Sequence, residues 1–370
     1  MKKVCILTSV HSVTDTRIFI KQAHSLKKSG YNITLIAPNN KNKINSEIKI
    51  ISLKNPKNRF ERICITTFQL YKKALKADAE IYHFHDPELI PIGLMLKFKG
   101  YKVIYDVHED VPKQILSKDW IWKPFRRIVS KGIRFIEGLA DKYLDAIVSA
   151  TPSIDEKFKN KNSITVQNFP LLSELVENSN TNSELNHNYI TYIGDITSIR
   201  GIKEMIKAIE LVPDKYNLKL LLGGKFSSEK LENEVRKLPG WEKVDFLGWI
   251  TRAKMVDVLS KSKLGLVLFQ PAPNHTDSQP NKMFEYMSAS LPVLASDFAL
   301  WKEVIEGNDC GINVDPTDPE QIARKIEYIL DHLEERKRMR KNARNAVEEK
   351  YNWSVEEEKL LKLYSKLSTN

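Results

Sequence analysis

Short apolar runs alternate with longer amphipathic segments along most of this 370-residue chain. In the first half, apolar runs that predict strands lie at 4–10, 33–37, 48–53, 81–85, 102–107, 146–150 and 164–167. Segments with helical periodicity lie between them, at about 17–30, 60–77, after Pro87 and at 120–142. Strands that alternate with helices of this length predict β-α-β units, and therefore a parallel sheet with helices on both faces.

The pattern weakens between about residues 168 and 188, where the composition becomes polar as in a linker. It then begins again, with strands predicted at 189–193, 218–222, 244–247, 264–269, 292–296 and 311–314. From Pro319 the chain is helical and highly charged. We predict two doubly wound α/β domains, an N-terminal one over 1–175 and a C-terminal one over 186–350, with a central cleft at the carboxyl ends of their strands.

Composition places the chain among soluble globular proteins, with 42% hydrophobic and 28% charged residues. No apolar run reaches the roughly 18 residues of a membrane span. The apolar start of the chain is shorter than the ~7–15 residue core of a signal peptide, so it is interpreted as a strand. The cysteines, Cys5, Cys64 and Cys310, lack metal-ligand spacing and suit a reducing cytoplasm.

The formal charge of +11 is unevenly distributed. Residues 1–180 carry 30 Lys and Arg against 18 Asp and Glu, whereas the rest of the chain carries 28 against 29. An excess of this kind indicates nucleic acid, an anionic membrane surface or an anionic substrate as partner. The sequence contains no zinc-finger spacing, helix-turn-helix pattern or RNA-binding aromatic signature, so nucleic acid is the least favoured of the three.

A loop followed by a helix at Pro280 or Asn281 predicts an anion site. Proline is tolerated in a first helical turn, and the free N–H groups of Asn281 and Lys282 point outward at the positive end of the helix dipole. Glu285, on the same helix, could accept two hydrogen bonds from a ribose diol. The alternative is an ordinary amphipathic helix with solvated charges.

Glycines at the ends of predicted strands indicate close approach to a ligand. Gly194 follows the strand at 189–193, and Arg200 would lie near it, able to bind a phosphate bidentately. A strand–helix turn with a surface arginine is the alternative. Gly224 and Gly248 end two further strands, and Trp249 beside them is expected to pack in the core rather than line a site.

Polar side chains also cluster at strand ends in the first half. His85 and Asp86 follow one strand and His108 follows another, and such clusters at the carboxyl edge of a sheet indicate a site. The loop after the first strand contains His11, Asp15 and Arg17. Asp15 either caps the following helix or contacts a substrate together with its neighbours.

One predicted helix mixes aromatic and basic residues: Trp120, Trp122, Arg126, Arg127, Lys131 and Arg134. Amphipathic basic helices with Trp and Phe lie in membrane interfaces, and each basic residue near an anionic surface contributes about 1 kcal/mol. Core packing would account equally well for Ile128 and Phe135. The charge of the first half favours attachment to a membrane surface.

Several of these motifs resemble family-4 glycosyltransferases, retaining enzymes of the GT-B fold, and the resemblance extends along nearly the whole chain. Residues 277–285 are similar to the family's Glu-x7-Glu region, with Asp277 in place of the first Glu. Residues 194–201 are similar to its Gly-Arg-x4-Lys-Gly phosphate site, with Asp195 in place of Arg and Arg200 in place of Lys. Residues 246–250 resemble the loop that lines the nucleotide base.

The N-terminal half continues the resemblance. His108 matches the family's active-site histidine beside the transferred sugar. The first-strand loop lacks the Gly-Gly pair of many relatives and resembles a subgroup with His-x3-Asp-x-Arg. Here, His11 or Asp15 would meet the acceptor and Arg17 the donor phosphates. The resemblance also implies that a helix at about 354–370 packs back on the N-terminal domain.

The resemblance implies a retaining hexosyltransferase that uses a nucleotide-diphosphate sugar, with UDP favoured over GDP. Arg200, Lys282 and the N–H of Asn281 would stabilise the leaving diphosphate, and Glu285 would hold the ribose. Asp277 and His108 would contact the donor sugar. The implied donor-binding residues are Gly194, Asp195, Gly224, Gly248, Asn281 and Glu285. No cofactor or metal ion is expected, because the Asp-x-Asp metal signature of the other large glycosyltransferase fold is missing.

The implied acceptor is a lipid-linked saccharide in the synthesis of bacterial surface polysaccharide, such as capsule or O-antigen. The acceptor or cleft residues would be His11, Asp15, Arg17, His85 and Asp86. The protein is expected in the cytoplasm, peripherally associated with the inner face of the cell membrane. Two alternatives stay open. One is a GT-B nucleotide-sugar epimerase, and the other is a non-catalytic nucleotide-sugar-binding subunit, suggested by the departures at Asp195 and Asp277.

Overall fold

The computed structural model describes residues 2–39, 46–116, 121–172, 188–272 and 275–369. The chain divides into two compact units. Unit 1 comprises Met1–Asn168 and Trp353–Asn370, and unit 2 comprises Phe169–Asn352. The polar segment predicted as a linker lies mostly at 173–187, outside the described residues.

Unit 1 alternates strands and helices from its first residues. Its strands are β1 (Lys3–Leu7), β2 (Asn32–Pro38), β3 (Lys49–Leu53), β4 (Ile81–Phe84), β5 (Lys102–Val107), β6 (Ala146–Ser149) and β7 (Ser163–Thr165). Helix α1 runs through Thr16–Ala23 and His24–Lys28, and α2 through Glu61–Thr66 and Thr67–Ala77. The other helices before the linker are α3 (Ile90–Phe98), α4 (Val111–Leu116), α5 (Lys123–Tyr143) and α6 (Pro152–Asp155).

The seven strands form one parallel sheet in the order β3-β2-β1-β4-β5-β6-β7. A chain that proceeds from β1 outward to β3 and then returns to β4 leaves a switch point between β1 and β4, where ligands of open α/β sheets bind. One face of the sheet packs Phe84 and Tyr105 against α2, α3 and α5 through Leu70, Leu96 and Ala140. Burial on both faces explains why these strands are continuous apolar runs.

The last helix, α14 (Trp353–Thr369), belongs to unit 1. The indole N–H of the buried Trp353 donates to Ser25 Oγ at 2.9 Å, and the Tyr364 hydroxyl lies 2.8 Å from Nδ1 of His83. Glu356, also buried, accepts the backbone N–H of Gln167 at 2.8 Å. These contacts fasten the end of the chain to the face of the sheet opposite α2 and α5.

Unit 2 repeats the architecture with its own core. Its strands are β8 (Asn188–Ile193), β9 (Leu218–Gly223), β10 (Val244–Gly248), β11 (Ser262–Val267), β12 (Val293–Ser296) and β13 (Gly311–Val314). Its helices are α7 (Ile202–Leu211), α8 (Glu229–Val235), α9 (Arg252–Lys261), α10 (Asn281–Ser288), α11 (Ala299–Ile305), α12 (Pro319–Asp331) and α13 (Leu333–Glu349). The parallel sheet has the order β10-β9-β8-β11-β12-β13, with its switch point between β8 and β11.

The prediction of two doubly wound parallel sheets is confirmed. The strands differ from their predicted limits by a few residues, most at β1, which ends at Leu7 rather than at residue 10. The Thr8 N–H still donates to the Ile36 carbonyl of β2. Residues 9–15 then form a loop, so β1 is shorter than predicted. Among the described residues, no helix is both long enough and apolar enough to cross a membrane.

In the described part of the chain each unit buries one tryptophan, Trp353 in unit 1 and Trp301 in unit 2, which allows the independence of the two cores to be tested. We expect Trp353→Ala to destabilise unit 1 by about 3–5 kcal/mol through lost burial and the cavity left behind. Trp301→Ala, in unit 2, should have the same effect there. Hydrogen–deuterium exchange should accelerate in β1 and β4 for the first variant and in β11 and β12 for the second. Equal acceleration in both units by either variant would contradict separate cores.

Candidate functional site

In unit 2, two loops at the switch point between β8 and β11 carry the residues predicted to bind a diphosphate. Gly194 follows β8 with φ 139°, and a Cβ there would lie 2.6 Å from Lys282 Nζ and 3.8 Å from Arg200 Nη1. The structure therefore brings the two predicted cations together beside a glycine. The Lys282 ammonium lies where a side chain at this position would be, so glycine is required for the lysine to approach the backbone.

Lys282 is a buried cation with aromatic neighbours. Its ammonium donates to the Tyr192 hydroxyl at 2.9 Å and lies 4.0 Å from the centre of that ring and 5.1 Å from that of Phe269. Burial, and then the charge of Arg200, hold the pKa of Lys282 well below its usual range. A diphosphate bound here would favour the charged form, because opposite charge nearby raises the pKa of a lysine.

Arg200 is partly exposed and has one acidic neighbour. Its Nη1 donates to Asp195 Oδ2 at 3.1 Å, and its guanidinium lies 5.5 Å from the Phe269 ring centre. Asp195 thus pairs with an arginine, and its side chain is 73% exposed. Exposed ion pairs of this kind contribute about 1 kcal/mol or less, so an incoming phosphate can replace Asp195.

Helix α10 begins at Asn281 as predicted, with Pro280 before it. The Tyr286 hydroxyl accepts the Ile193 N–H at 2.8 Å, which anchors the helix to the end of β8. Glu285 is partly exposed, and one of its oxygens accepts from Arg252 Nη1 at 2.6 Å. Arg252 was not recognised from the sequence, because its partner lies 33 residues away on another helix.

The loop before α10 holds Asp277, which is exposed. Its path is set by Trp301, whose indole N–H donates to the Ser278 carbonyl at 2.6 Å. The same loop contains His275, whose ring centre is 5.0 Å from that of Phe269. Burial lowers the pKa of His275, and the charges of Arg200 and Lys282 lower it further. Sequence reasoning missed this residue, because no strand or motif marks it.

The two other glycines predicted for the donor site have different surroundings. A Cβ on Gly224, where φ is 148°, would lie 1.9 Å from the Gly194 carbonyl oxygen, so glycine is required for the two loops to touch. Gly248, with φ 63°, accepts the Gly224 N–H at 2.7 Å. The expectation that Trp249 packs in the core is wrong: the side chain is 77% exposed, since the turn at Gly248 ends β10 before it.

In unit 1, the carboxylate of Asp106 is the centre of a buried polar cluster at the carboxyl edge of the sheet. It accepts from Arg17 Nη2 at 2.9 Å and from Gln22 Nε2 at 2.6 Å. Nε2 of His83 and Nδ1 of His85 each lie 3.6 Å from it. Burial alone would raise the pKa of Asp106, but Arg17 and the histidines outweigh it and hold that pKa well below its usual range.

This cluster corrects the expectation that Arg17 meets donor phosphates. The guanidinium is only 4% exposed, and it also donates to the Val166 carbonyl at 2.7 Å. A phosphate could reach it only by displacing Asp106 from a buried ion pair. Arg17 is therefore part of the framework of unit 1, and its neighbour in the pair was not foreseen because 89 residues separate them.

His108 is largely buried at this edge, with 18% of its side chain exposed. Its Nε2 lies 3.0 Å from Nδ1 of His85 and 3.6 Å from Asp106 Oδ1. Burial lowers the pKa of His108 to about 4, although Asp106 opposes this shift. Because these contacts are made by Nε2, the neutral ring can present its Nδ1 to a ligand.

His11 lies beside His108, with ring centres 4.9 Å apart, and its pKa is shifted in the opposite direction. Its ring nitrogens lie 3.3 Å from Asp15 and 3.7 Å from Asp86. Burial opposes the charged ring, but these carboxylates outweigh it and raise the pKa of His11. Asp15 also caps α1 by accepting the Ile18 N–H at 2.9 Å, as its capping interpretation requires.

Asp86 ties β4 to the loop after β1 across the switch point. Its Oδ2 accepts from the Ser9 N–H at 2.6 Å and the Thr8 hydroxyl at 2.8 Å. Burial, and then the charge of Glu88, raise the pKa of Asp86. The bonds hold the loop that carries His11 and Asp15.

Three buried groups, His83, His85 and Asp106, could in principle ligate a metal ion, because one ligand atom from each lies within 4.8 Å of the others. His and Asp are ordinary zinc ligands. The Asp106 carboxylate, however, already accepts from Arg17 and Gln22, and the guanidinium would repel a divalent cation. The donor set suits an ion-pair cluster better than a metal centre.

The residues predicted for a membrane surface lie on or just before α5, except Trp120, which is outside the described residues. Trp122, which precedes the helix, is 71% exposed. Arg126 is half-buried and donates to the Ile121 carbonyl at 2.8 Å, whereas Arg127, Lys131 and Arg134 are exposed. Core packing does not account for Ile128 and Phe135, which are 64% and 69% exposed.

Comparison with known sequences finds a family match over most of unit 2, which includes the loops at Gly194 and Lys282. Residues 176–346, 46% of the chain, match the family described as glycosyl transferases group 1. The chain is 25% identical over 215 residues to the capsular polysaccharide biosynthesis glycosyltransferase CapM of Staphylococcus aureus, covering 56% of this chain and 54% of that one. It is 27% identical over 165 residues to the uncharacterized glycosyltransferase MJ1607 of Methanocaldococcus jannaschii, covering 44% and 41%. The chain thus spans about half the length of these curated relatives.

Solved structures share the whole fold. Sucrose-phosphate synthase from Thermosynechococcus elongatus superposes with a TM-score of 0.80 at 16% identity, covering 100% of both chains. Anabaena Alr3699/HepE in complex with UDP-glucose superposes with a TM-score of 0.73 at 12% identity, covering 99% of this chain and 100% of that one. At such identities the likeness establishes the architecture alone, which is that of the GT-B glycosyltransferases.

The Asp106 cluster leads to a prediction about stability. We expect Asp106→Asn to lower the free energy of unfolding by about 3–5 kcal/mol, because it leaves the Arg17 charge buried without its counter-charge. Asp78→Asn is the matched control, since the Asp78 carboxylate is 78% exposed and pairs with Lys3 at the surface. Urea denaturation at pH 7 measures both. A loss below about 1 kcal/mol for Asp106→Asn would contradict the central role of the cluster.

Lys282 gives a prediction with a defined pH dependence. The unfolded chain protonates this lysine up to its ordinary pKa of about 10.4, whereas burial disfavours the proton in the folded state. Lys282→Met should therefore stabilise the protein at pH 7. The gain should shrink as the pH rises toward 10, because the unfolded chain then gives up this proton and the penalty for burying the lysine falls.

Lys207→Met, at an exposed position on α7, is the control for this variant and should change stability little at either pH. Urea denaturation of both variants and the wild type at pH 7 and pH 9.5 supplies the comparison. If Lys282→Met were less stable than the wild type at pH 7, the ammonium would be favourably placed without a ligand.

Proposed function

We propose that this protein is a retaining glycosyltransferase that transfers a sugar from a nucleotide-diphosphate donor, preferably a UDP-sugar, to an acceptor hydroxyl. The observation that carries the proposal is the meeting of Arg200 and Lys282 at Gly194, on the switch-point edge of unit 2. This edge lies within the stretch that matches the group 1 family. UDP and UDP-glucose in the solved HepE complexes support the choice of donor.

Transfer of a sugar from such a donor requires that the negative charge developing on the leaving diphosphate be stabilised. Arg200 can bind its oxygens bidentately, and Lys282 and the N–H groups at the start of α10 add positive charge where negative charge develops. A fixed, partly dehydrated cation stabilises such charge more than a cation in water does. Glu285 would hold the ribose with the oxygen that Arg252 leaves available, and Asp277 the hydroxyls of the sugar.

Unit 1 would supply the groups beside the acceptor and the transferred sugar. His108, held neutral, would donate or accept a hydrogen bond at a sugar hydroxyl. His11 and Asp15, on the loop held by Asp86, would contact the acceptor. Retention of the anomeric configuration, with the departing phosphate accepting the acceptor's proton, is carried over from the family resemblance.

The acceptor we propose is a lipid-linked saccharide used in bacterial surface polysaccharide synthesis, at the cytoplasmic face of the membrane. Two observations support it: the relative CapM acts in capsular polysaccharide biosynthesis, and α5 exposes aromatic and basic side chains in unit 1. A non-catalytic nucleotide-sugar-binding subunit is the second candidate, because Arg200 and Glu285 both have ion-pair partners at the site.

Nucleotide binding tests the donor site. We expect UDP and UDP-sugars, added at about 100 times their Kd, to stabilise the protein by about 2.7 kcal/mol, and GDP to do so less. Arg200→Ala should remove most of this shift and lower the rate of transfer about 100–1,000-fold. Thermal denaturation and a radiolabelled-sugar transfer assay provide the two measurements.

Arg324→Ala is the matched control, because Arg324 is an exposed arginine of unit 2 that pairs with Glu320. It should leave both the shift and the rate unchanged. Binding of UDP-sugars without transfer to any saccharide or lipid-linked acceptor would favour the non-catalytic subunit. Failure of every nucleotide to shift the melting temperature would overturn the proposal.

A further inference from the structure

Exposed apolar side chains are concentrated in unit 1. Of the 20 large hydrophobic side chains that are exposed in the described part of the chain, 16 lie in unit 1 and only Ile199, Leu211, Trp249 and Leu333 in unit 2. The two units are nearly equal in length, so the difference is not one of size. Scattered exposed hydrophobics need no explanation, but contiguous ones mark an association surface.

Helix α5 turns polar side chains toward the core of unit 1 and large apolar side chains toward solvent. Its buried side chains include Ser130 and Glu137, whereas Phe125, Ile128 and Phe135 are 50%, 64% and 69% exposed. Ser130 is satisfied by donating to the Pro112 carbonyl at 2.8 Å, and burial raises the pKa of Glu137 to about 7. The helix therefore places its largest apolar groups on its outer side.

Helix α2 adds a second exposed apolar segment. Phe60 precedes it and is 73% exposed, and Ile63, Ile65 and Phe68 on its first turns are 49%, 48% and 55% exposed. The inner side of α2 is already buried through Leu70 and Ala74. The exposed apolar residues of α2 therefore take no part in packing the core of unit 1.

The two segments lie on the same face of the sheet. Helices α2, α3 and α5 follow β3, β4 and β5, whose connections all cross the sheet in the same direction, and right-handed crossovers then put them on one face. Their buried residues share one core. Helix α3 lies between α2 and α5 and packs against α5. Since α2 and α5 each begin near the carboxyl edge of the sheet, the exposed residues of their first turns lie toward the edge that carries His11 and His108, and Phe135 lies farther along α5.

Charge decides which kind of partner suits this face. Five basic residues and no acidic one lie between 121 and 136. Between 57 and 72 there are Lys57, Arg59 and Lys72 against Glu61, and the remaining cation there, Arg62, pairs with Glu88 at 2.8 Å. Each Lys or Arg near an anionic bilayer strengthens binding roughly fivefold. Apolar residues flanked by cations on helices that lie along a surface are typical of the interface of an anionic membrane.

We propose that α2 and α5 together form one membrane-docking surface, composed of Phe60, Ile63, Ile65, Phe68, Trp122, Phe125, Ile128 and Phe135, that lies on an anionic bilayer. The carboxyl edge of unit 1 is then turned toward the lipid headgroups. Resting on the proposed function, this orientation lets a lipid-linked acceptor present its saccharide to His11 and His108 without leaving the bilayer. The docking itself requires no assumption about the reaction.

Co-sedimentation with vesicles of phosphatidylglycerol and phosphatidylcholine, or of phosphatidylcholine alone, tests the surface. The wild type should bind the anionic vesicles, and less so in high salt. Phe60→Ser/Phe68→Ser on α2 and Ile128→Ser/Phe135→Ser on α5 should each weaken binding at least tenfold, because a buried phenylalanine alone accounts for that factor. The four changes combined should abolish it.

Leu211→Ser/Leu333→Ser is the matched control, with side chains exposed to a similar degree in unit 2. It should bind vesicles as the wild type does, and all variants should keep the wild-type melting temperature. Undiminished binding by the α2 variant would overturn the single surface. Equal binding to neutral vesicles would overturn the anionic partner, and self-association lost in the same variants, without vesicle binding, would assign the face to a second protein.

The UDP-induced thermal shift separates this inference from the proposed function. The docking variants should retain the full shift, because their substitutions lie in unit 1. A protein that binds anionic vesicles through α2 and α5 but shows no shift with any nucleotide would keep the docking surface and lose the transferase. A UDP-induced thermal shift without vesicle binding would keep the proposed function and overturn the docking surface.

Discussion

The carboxyl edge of unit 1 depends on one buried carboxylate, Asp106. A charge in this position is stable only with partners, and Arg17 from α1 and the imidazoles of β4 surround it. These partners come from two other parts of the chain, so the pairing holds the end of β5 against α1 and the end of β4. His108, two residues beyond, takes its position from the same cluster, whereas burial keeps its ring neutral by lowering its pKa to about 4.

The switch-point edge of unit 2 presents the opposite case, because its buried lysine bonds to a hydroxyl instead of a carboxylate. Lys282 is buried against aromatic rings and a hydroxyl, and Asp195 pairs with Arg200 from an exposed position. Burying an ammonium in this way costs folding free energy, since the charged form loses hydration. Perturbed groups of this kind concentrate where a ligand supplies the missing charge. A diphosphate, with its several negative oxygens, is the ligand that this imbalance fits.

The elements could be predicted closely because their signal is local. A strand buried on both faces is an apolar run, as at 102–107, and the structure has β5 at Lys102–Val107. The Arg17–Asp106 pair could not be predicted in this way, since it depends on the order of β1, β4 and β5. Period-two alternation does put His83 with His85 on one face of β4, but their meeting with Asp106 requires the register that pairs His83 with Ile104. Trp249 was misassigned to the core because the turn at Gly248, with φ 63°, ends β10 just before it.

Helix α5 shows that folding and association can make separate demands on one segment. If stability of unit 1 were its sole requirement, Phe135 and Ile128 would face inward, where each would contribute about 1.5–3 kcal/mol, and Glu137 would face water. The observed arrangement gives up that stabilisation and leaves a buried glutamate whose pKa is raised to about 7. Helical periodicity alone cannot distinguish the two orientations, because both place an apolar stripe on one side. The distribution of charge can: the cations accompany the apolar side chains on the outer side, as an anionic surface would require.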